Sequence, residues 1–162
     1  MDKATCEFDV NMKTSILYDY SLYHTYRGIS GILGTVVGML LILNYLQNHQ
    51  ILYLIFGIIV VAYLPVGLLL NAKKQMTMVE TYKSPLHYKL SEEGIEVSQG
   101  DVVQVMPWTG ILKAVSTQKS IILYTGRNIA VIFPRADLGD NLQDALKIIC
   151  QYVEPKRVKI RF

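Results

Sequence analysis

The middle of this chain lacks charge altogether. Residues 28–72 contain no Lys, Arg, Asp or Glu, and a soluble helical hairpin would need such residues to form a polar face. Two apolar runs fill the gap, residues 28–46 and 51–70, with lengths of 19 and 20 residues. As helices each would be about 30 Å long, the thickness of the hydrocarbon core of a bilayer. We therefore predict two transmembrane helices.

The ends of these runs also lack the features of a cleaved signal peptide, because 27 residues precede the first run and a signal core spans only about 7–15. The four-residue connection 47–50 makes the helices an antiparallel hairpin with both termini on one side. That connection has no Lys or Arg, whereas Arg27, Lys73 and Lys74 flank the other ends. The positive-inside rule then predicts a two-helix protein of the cell membrane, with both termini cytoplasmic.

Catalytic and metal-binding motifs are missing as well. The chain has no GxSxG, P-loop, GxGxxG or HExxH pattern, and no ionisable residue marks a transport pathway within the apolar runs. Cys6 and Cys150 form no CxxC pair and are each expected to be small buried apolar residues. The hairpin would place His49 across the membrane from His24 and His87. We predict no enzymatic activity, no cofactor and no metal, and the diffuse basic excess predicts no nucleic-acid partner.

Small residues within the first run predict close helix packing. Gly31, Gly34 and Gly38 fall on nearly one helical face, where they would let another backbone approach. Packing within the hairpin is the favoured interpretation, and a homo-oligomer that forms through the same face is the alternative. Pro65 should kink the second helix near its cytoplasmic end.

The N-terminal 27 residues combine a strand pattern with a tyrosine-rich segment. Apolar and polar residues alternate over residues 5–12, and we predict that this strand adds to an edge of the C-terminal sheet, with Phe8 and Val10 buried. A segment lying on the membrane is the alternative. The tyrosines of residues 18–26 suggest an interfacial aromatic belt, and packing against the soluble domain is their other interpretation.

Residues 75–162 predict a compact domain of five or six antiparallel strands and one amphipathic helix. Two strands cover residues 84–108 with a turn at 92–94, three shorter strands follow, and a helix begins at an N-cap, Asp140. Trp108 is expected to anchor the small core. The basic stretch 154–162 predicts a final strand, or a tail that contacts anionic lipid.

The order of these features resembles bacterial YcxB-like membrane proteins. The resemblance is carried by HYKLSEEGIEV, PWTGILKAVSTQKSIILY and NIAVIFPRADL, after a two-helix hairpin with a proline late in its second helix. It implies a membrane hairpin joined to an α+β domain, similar to pleckstrin-homology folds: an antiparallel barrel capped by a C-terminal helix. The family brings no established activity or ligand.

Two functional hypotheses follow. The first is a membrane-tethered module that binds a protein partner or lipid headgroups through a sheet edge or loops, with an ordinary solvated surface as the alternative interpretation of its basic residues. The candidates for these contacts are Lys73, Lys74, Lys113, Lys119, Arg127 and Arg135. The second hypothesis is immunity against a bacteriocin or another membrane-active toxin. It comes from a similar layout in small bacterial proteins that are encoded beside toxins.

Overall fold

A computed structural model describes residues 5–160 of the 162-residue chain. Its helices and strands are β1 (Cys6–Val10), α1 (Thr14–Arg27), α2 (Ile29–Asn48), α3 (Ile51–Met78), β2 (Leu86–Leu90), β3 (Ile95–Gln99), β4 (Val102–Met106), β5 (Lys113–Ser116), β6 (Ser120–Tyr124), β7 (Ala130–Pro134), α4 (Arg135–Leu138), α5 (Leu142–Tyr152) and β8 (Val158–Lys159). Short 3-10 turns connect several of them.

Helices α2 and α3 form the predicted hairpin and are both long and apolar enough to cross a membrane. In the most apolar 18-residue stretch of each helix, only 11% and 6% of the residues, respectively, are buried within the protein. A core helix of a soluble protein would be mostly buried, so this exposure favours lipid as the surroundings of the hairpin. The turn between the helices places His49 in the left-handed region, with φ 53°.

Glycines bring the two hairpin helices together. A Cβ on Gly38 would lie 2.5 Å from Val61 Cγ2 and 3.1 Å from the carbonyl oxygen of Gly57. Gly34 faces Leu64, whereas Gly31 lies against the end of α1. The favoured interpretation, packing within the hairpin, is confirmed for Gly34 and Gly38, and association between chains stays a prediction.

Helix α3 does not end where its apolar run does. It runs eight residues past residue 70, as far as Met78, with Pro65 inside it. Ala72, in this extension, is 1% exposed. Helix α3 therefore continues directly into the domain.

The first sheet has the strand order β1-β2-β3-β4, and all its neighbours are antiparallel. Strand β1 pairs with β2 in a register that sets Phe8 opposite Tyr88, and Phe8 and Val10 are buried. The prediction that the N-terminal strand joins an edge of the C-terminal sheet is confirmed.

The turn between β2 and β3 confirms the prediction at residues 92–94. The Ser91 amide donates a hydrogen bond to the Gly94 carbonyl oxygen at 3.0 Å, and the Gly94 amide donates to the Ser91 carbonyl oxygen at 3.3 Å. Gly94 has φ 148°, and a Cβ there would collide with the carbonyl of Met106. The single strand expected from residue 95 to Trp108 is wrong, because the chain reverses at Gly100, with φ 57°, to form β3 and β4.

The second sheet has the order β7-β6-β5-β8, and the short strand β8 runs parallel to β5. Its two faces pack against different partners. Ile121 and Phe133 belong to a core shared with the first sheet and α5, while Ile122 and Ile132 pack against α1 and the end of α3. Burial on both sides explains why every residue of β6 is buried. The two four-stranded sheets and the C-terminal helix make an α+β domain, and the barrel is not closed.

Trp108 anchors this core as predicted. It is 8% exposed, its Nε1–H donates to the carbonyl oxygen of Ser91 at 2.8 Å, and its ring stacks on Tyr152 at 5.7 Å between centroids. Two other expectations are wrong. A 3-10 turn at Gly139–Asn141 precedes α5, so Asn141, not Asp140, occupies the N-cap position. Cys150 is exposed, whereas Cys6 is buried.

Candidate functional site

Helix α1 lies across the outer face of the second sheet and connects this face to the membrane hairpin. Ile16 and Leu17 are buried against β5, β6 and β7, beside Ala72 of α3. The carboxylate of Asp19 accepts a hydrogen bond from Thr117 Oγ1 at 2.5 Å. These contacts fix the helix from its first turns.

The tyrosines of α1 pack against this sheet. Tyr18, Tyr20 and Tyr23 are half-buried against the same cluster, which confirms packing on the domain for these three, and the interfacial belt stays a prediction. The apolar sheet face beside α1, which includes Val115 and Ile122, gives these rings a surface to pack against.

A cleft of about 500 Å³ opens where α1 ends. One wall is the last turn of α1, with Tyr23, His24 and Arg27. The opposite wall is formed by the start of β5 and the end of β6, including Lys113 and Tyr124. Gly28, the single residue between α1 and membrane helix α2, also lines the cleft. The cleft therefore lies at the junction of the domain with the hairpin.

Aromatic rings line the cleft and pack against one another. The ring of Tyr124 lies 6.0 Å from that of His24 and 6.1 Å from that of Tyr20, measured between centroids. Burial, followed by the neighbouring Tyr20 and Tyr23, raises the pKa of Tyr124 to about 12. Its hydroxyl therefore stays neutral near neutral pH.

Three basic side chains line the cleft beside its aromatic rings. The Arg27 guanidinium lies over the Tyr23 ring at 5.3 Å from its centroid, and Lys113 and Arg127 line the same cleft. Partial burial lowers the pKa of Lys113, and the nearby Arg27 and Lys159 lower it further. None of the described residues that line the cleft is Asp or Glu. The arrangement concentrates positive charge without a carboxylate to neutralise it.

The six basic candidates do not form one surface. Lys113 and Arg127 meet in the cleft. Lys119 and Arg135 lie at the opposite end of the β5–β6 hairpin, where the Arg135 amide donates to the Lys119 carbonyl at 2.8 Å. The remaining two, Lys73 and Lys74, are exposed on α3 just beyond Ala72.

Sequence reasoning missed the contribution of α1 to this site. In the sequence, Arg27 indicates only a flanking charge that orients the hairpin, and His24 only a histidine without a metal partner. The available signal was the strand pattern of residues 5–12, because a strand that joins the sheet must bring the following helix to the domain. Elsewhere in residues 5–160, no group of three or more His, Cys, Asp and Glu residues could hold a metal ion.

Comparison with known proteins supports one assignment. No curated protein and no solved structure gives a significant match. The model of the YcxB-like protein family matches residues 90–149, which run from the end of β2 into α5. The match confirms the resemblance predicted from the sequence and covers the wall of the cleft that β5 and β6 form, but not the wall formed by α1. Residues 90–149 are thus a YcxB-like segment, carried by a protein with two candidate membrane helices.

Proposed function

We propose that this protein is an integral protein of the cell membrane, whose hairpin holds an interaction domain against the cytoplasmic leaflet. The domain acts by binding a partner molecule and performs no catalysis of its own. The observation that carries the proposal is the pairing of β1 with β2, because it joins the chain before the hairpin to the chain after it. Both ends of the hairpin must then lie on one side of the membrane.

The short connections support this arrangement. Gly28 alone separates α1 from α2, and α3 enters the domain without interruption. A domain attached in this way stays at the bilayer surface. Arg27, Lys73 and Lys74 at that surface favour the cytoplasmic side, where Lys and Arg are enriched next to membrane helices.

The fold offers two places for an interaction. We infer a pleckstrin-homology-like arrangement from the two four-stranded sheets followed by α5, although the barrel is open. A protein partner could add a strand to β4, an edge strand of the first sheet in which Val102, Val103 and Val105 are each more than half exposed. A lipid headgroup would instead enter the cleft at the end of α1.

The orientation is tested by labelling of cysteines with a membrane-impermeant maleimide in intact and permeabilised cells. Wild-type protein carries the exposed Cys150 and the buried Cys6. Burial raises the pKa of the Cys6 thiol, and the Asp144 and Glu7 carboxylates raise it further, so Cys6 should react slowly. The Cys150→Ala variant therefore measures the background, and Gln50→Cys in that variant places a thiol at the hairpin tip.

We expect the thiol at position 50 to be labelled in intact cells, and Cys150 only after permeabilisation. Labelling of Cys150 in intact cells would place the domain outside and contradict the proposal. Protection against a bacteriocin or toxin, the second hypothesis from the sequence, gains no support from the comparisons and is not proposed here.

A further inference from the structure

We propose that the cleft at the end of α1 binds the phosphodiester headgroup of an anionic phospholipid. This inference rests on the proposed function, which holds the domain at the membrane surface. It names the ligand of that domain and the residues that select it.

The position of the cleft determines what can reach it. Gly28 lines the cleft and is followed at once by Ile29, the first residue of membrane helix α2. Ile29 is 81% exposed, as expected for a side chain at the start of a membrane span. The cleft therefore lies at the depth of the lipid headgroups.

The charge of the cleft determines the sign of its ligand. Arg27, Lys113 and Arg127 supply three cations, and within residues 5–160 neither Lys113 nor Arg127 forms an ion pair with a carboxylate. Partial burial and two neighbouring cations, Arg27 and Lys159, make the charge of Lys113 unfavourable and lower its pKa. An anion in the cleft would relieve that repulsion, and Arg is well suited to bind phosphate oxygens in a bidentate geometry.

Apolar side chains beside the cations favour a lipid over free phosphate. Leu112 lines the cleft and is 54% exposed, and Ile129, in the same turn as Gly126, is 69% exposed. Exposed apolar residues of this size next to a basic cleft suit a ligand with a charged head and an acyl body. Inorganic phosphate would gain nothing from them.

The test uses the full-length protein in nanodiscs of equal phosphatidylcholine and phosphatidylglycerol, with native mass spectrometry of the released complexes. Wild-type protein should retain phosphatidylglycerol in preference to phosphatidylcholine. Lys113→Gln and Arg127→Gln should each lower that preference about five-fold, and the double variant about 25-fold. Lys119→Gln is the matched control, because it removes the same charge from the other end of the β5–β6 hairpin, and it should change nothing.

Three outcomes would overturn the inference. Equal losses in Lys113→Gln and Lys119→Gln would show that diffuse surface charge attracts the lipid. Equal retention of both lipids by wild-type protein would show that the cleft does not select an anion. Displacement of phosphatidylglycerol by an excess of inorganic phosphate would identify the ligand as free phosphate.

Two further measurements separate this inference from other failures. Unfolding followed by the fluorescence of Trp108 should be unchanged in the variants, so that a loss of lipid reports binding and not misfolding. The maleimide experiment is independent of lipid. Correct labelling of Cys150 together with unselective lipid retention would refute the cleft assignment and leave the proposed function intact.

Discussion

Replacement of Phe8 by Ala tests whether the N-terminal strand is part of the domain. Phe8 is 6% exposed, stacks on Tyr88 at 5.9 Å and meets the ring of Phe133 edge-on at 5.1 Å. Truncation of a buried Phe to Ala costs about 3–5 kcal/mol, because apolar contacts are lost and a cavity remains. We expect a loss of this size in the free energy of unfolding, from a residue that precedes the entire membrane hairpin.

The assay is urea unfolding of the full-length protein in detergent micelles, followed by tryptophan fluorescence. The chain has one tryptophan, Trp108, whose burial in the domain makes it a reporter of that domain and not of the hairpin. For a slope of about 1.5–2 kcal/mol per molar urea, the loss corresponds to a midpoint about 2 M lower. Phe56→Ala is the matched control: it makes the same truncation at a side chain of α3 that is 57% exposed, and its midpoint should equal that of wild type.

A Phe8→Ala midpoint equal to wild type would refute the reasoning. The strand would then lie apart from the domain, as in the interfacial alternative, and the argument that both ends of the hairpin share one side would lose its support. Equal losses in both Phe variants would also refute it, because the effect would then come from the detergent-embedded protein as a whole.

Three further perturbations test other parts of the fold. Gly38→Ala should destabilise the hairpin by about 1–3 kcal/mol through overpacking, and circular dichroism should show a lower midpoint for the loss of helix. Gly67→Ala is the control, because open space surrounds Gly67, and it should leave that midpoint unchanged. Equal effects of the two substitutions would contradict the close approach of the helices at Gly38. Ala72→Leu should lower the unfolding midpoint that tryptophan fluorescence reports, whereas Ala62→Leu, at an exposed position of the same helix, should leave it unchanged. Equal midpoints would show that α3 does not pack into the core of the domain. Burial raises the pKa of Tyr88 to about 12, so its hydroxyl ionises at lower pH in the unfolded state than in the folded state. The free energy of unfolding should therefore fall between about pH 10 and 12. Tyr88→Phe should make that fall shallower, and an identical fall in wild type and variant would contradict this assignment.

The sequence was most informative where one physical rule acts alone. The absence of charge over residues 28–72 requires apolar surroundings whatever the tertiary fold, and the hairpin follows from that. Alternation in residues 5–12 likewise defines a face, because a strand with Phe8 and Val10 on one side must bury that side. These features are local, so no knowledge of the partner was needed.

The wrong predictions from the sequence concern features that tertiary packing determines. The reversal at Gly100 was missed because Val102, Val103 and Val105 continue the apolar character of β3, although they are exposed on an edge strand. The position of Cys150 was misjudged because Ile149, its neighbour on α5, already fills the core at that level.

The cleft could not be predicted, because its two sides come from distant parts of the chain. Arg27 and Lys113 are separated in the chain by the whole hairpin and by β2, β3 and β4. They meet only because α1 packs on the second sheet, and the aromatic residues that direct this packing resembled a membrane belt. A list of basic residues from the sequence therefore mixed two that share a site with four that do not.

The two connections between hairpin and domain limit how the cleft can be oriented. Helix α3, with 28 residues, is about 42 Å long and exceeds the hydrocarbon thickness of about 30 Å. If it spans the membrane as proposed, its last turns would leave the bilayer as a continuous helix. Those turns carry Ala72 and Met76, which pack against the second sheet beside α1, and on the other side Gly28 alone joins α1 to α2. Because a single residue joins α1 to α2 and α3 is continuous, we expect little rotation of the domain relative to the hairpin. In the proposed arrangement the cleft would consequently be held at the membrane surface, where an anionic headgroup would reach it without any movement of the domain.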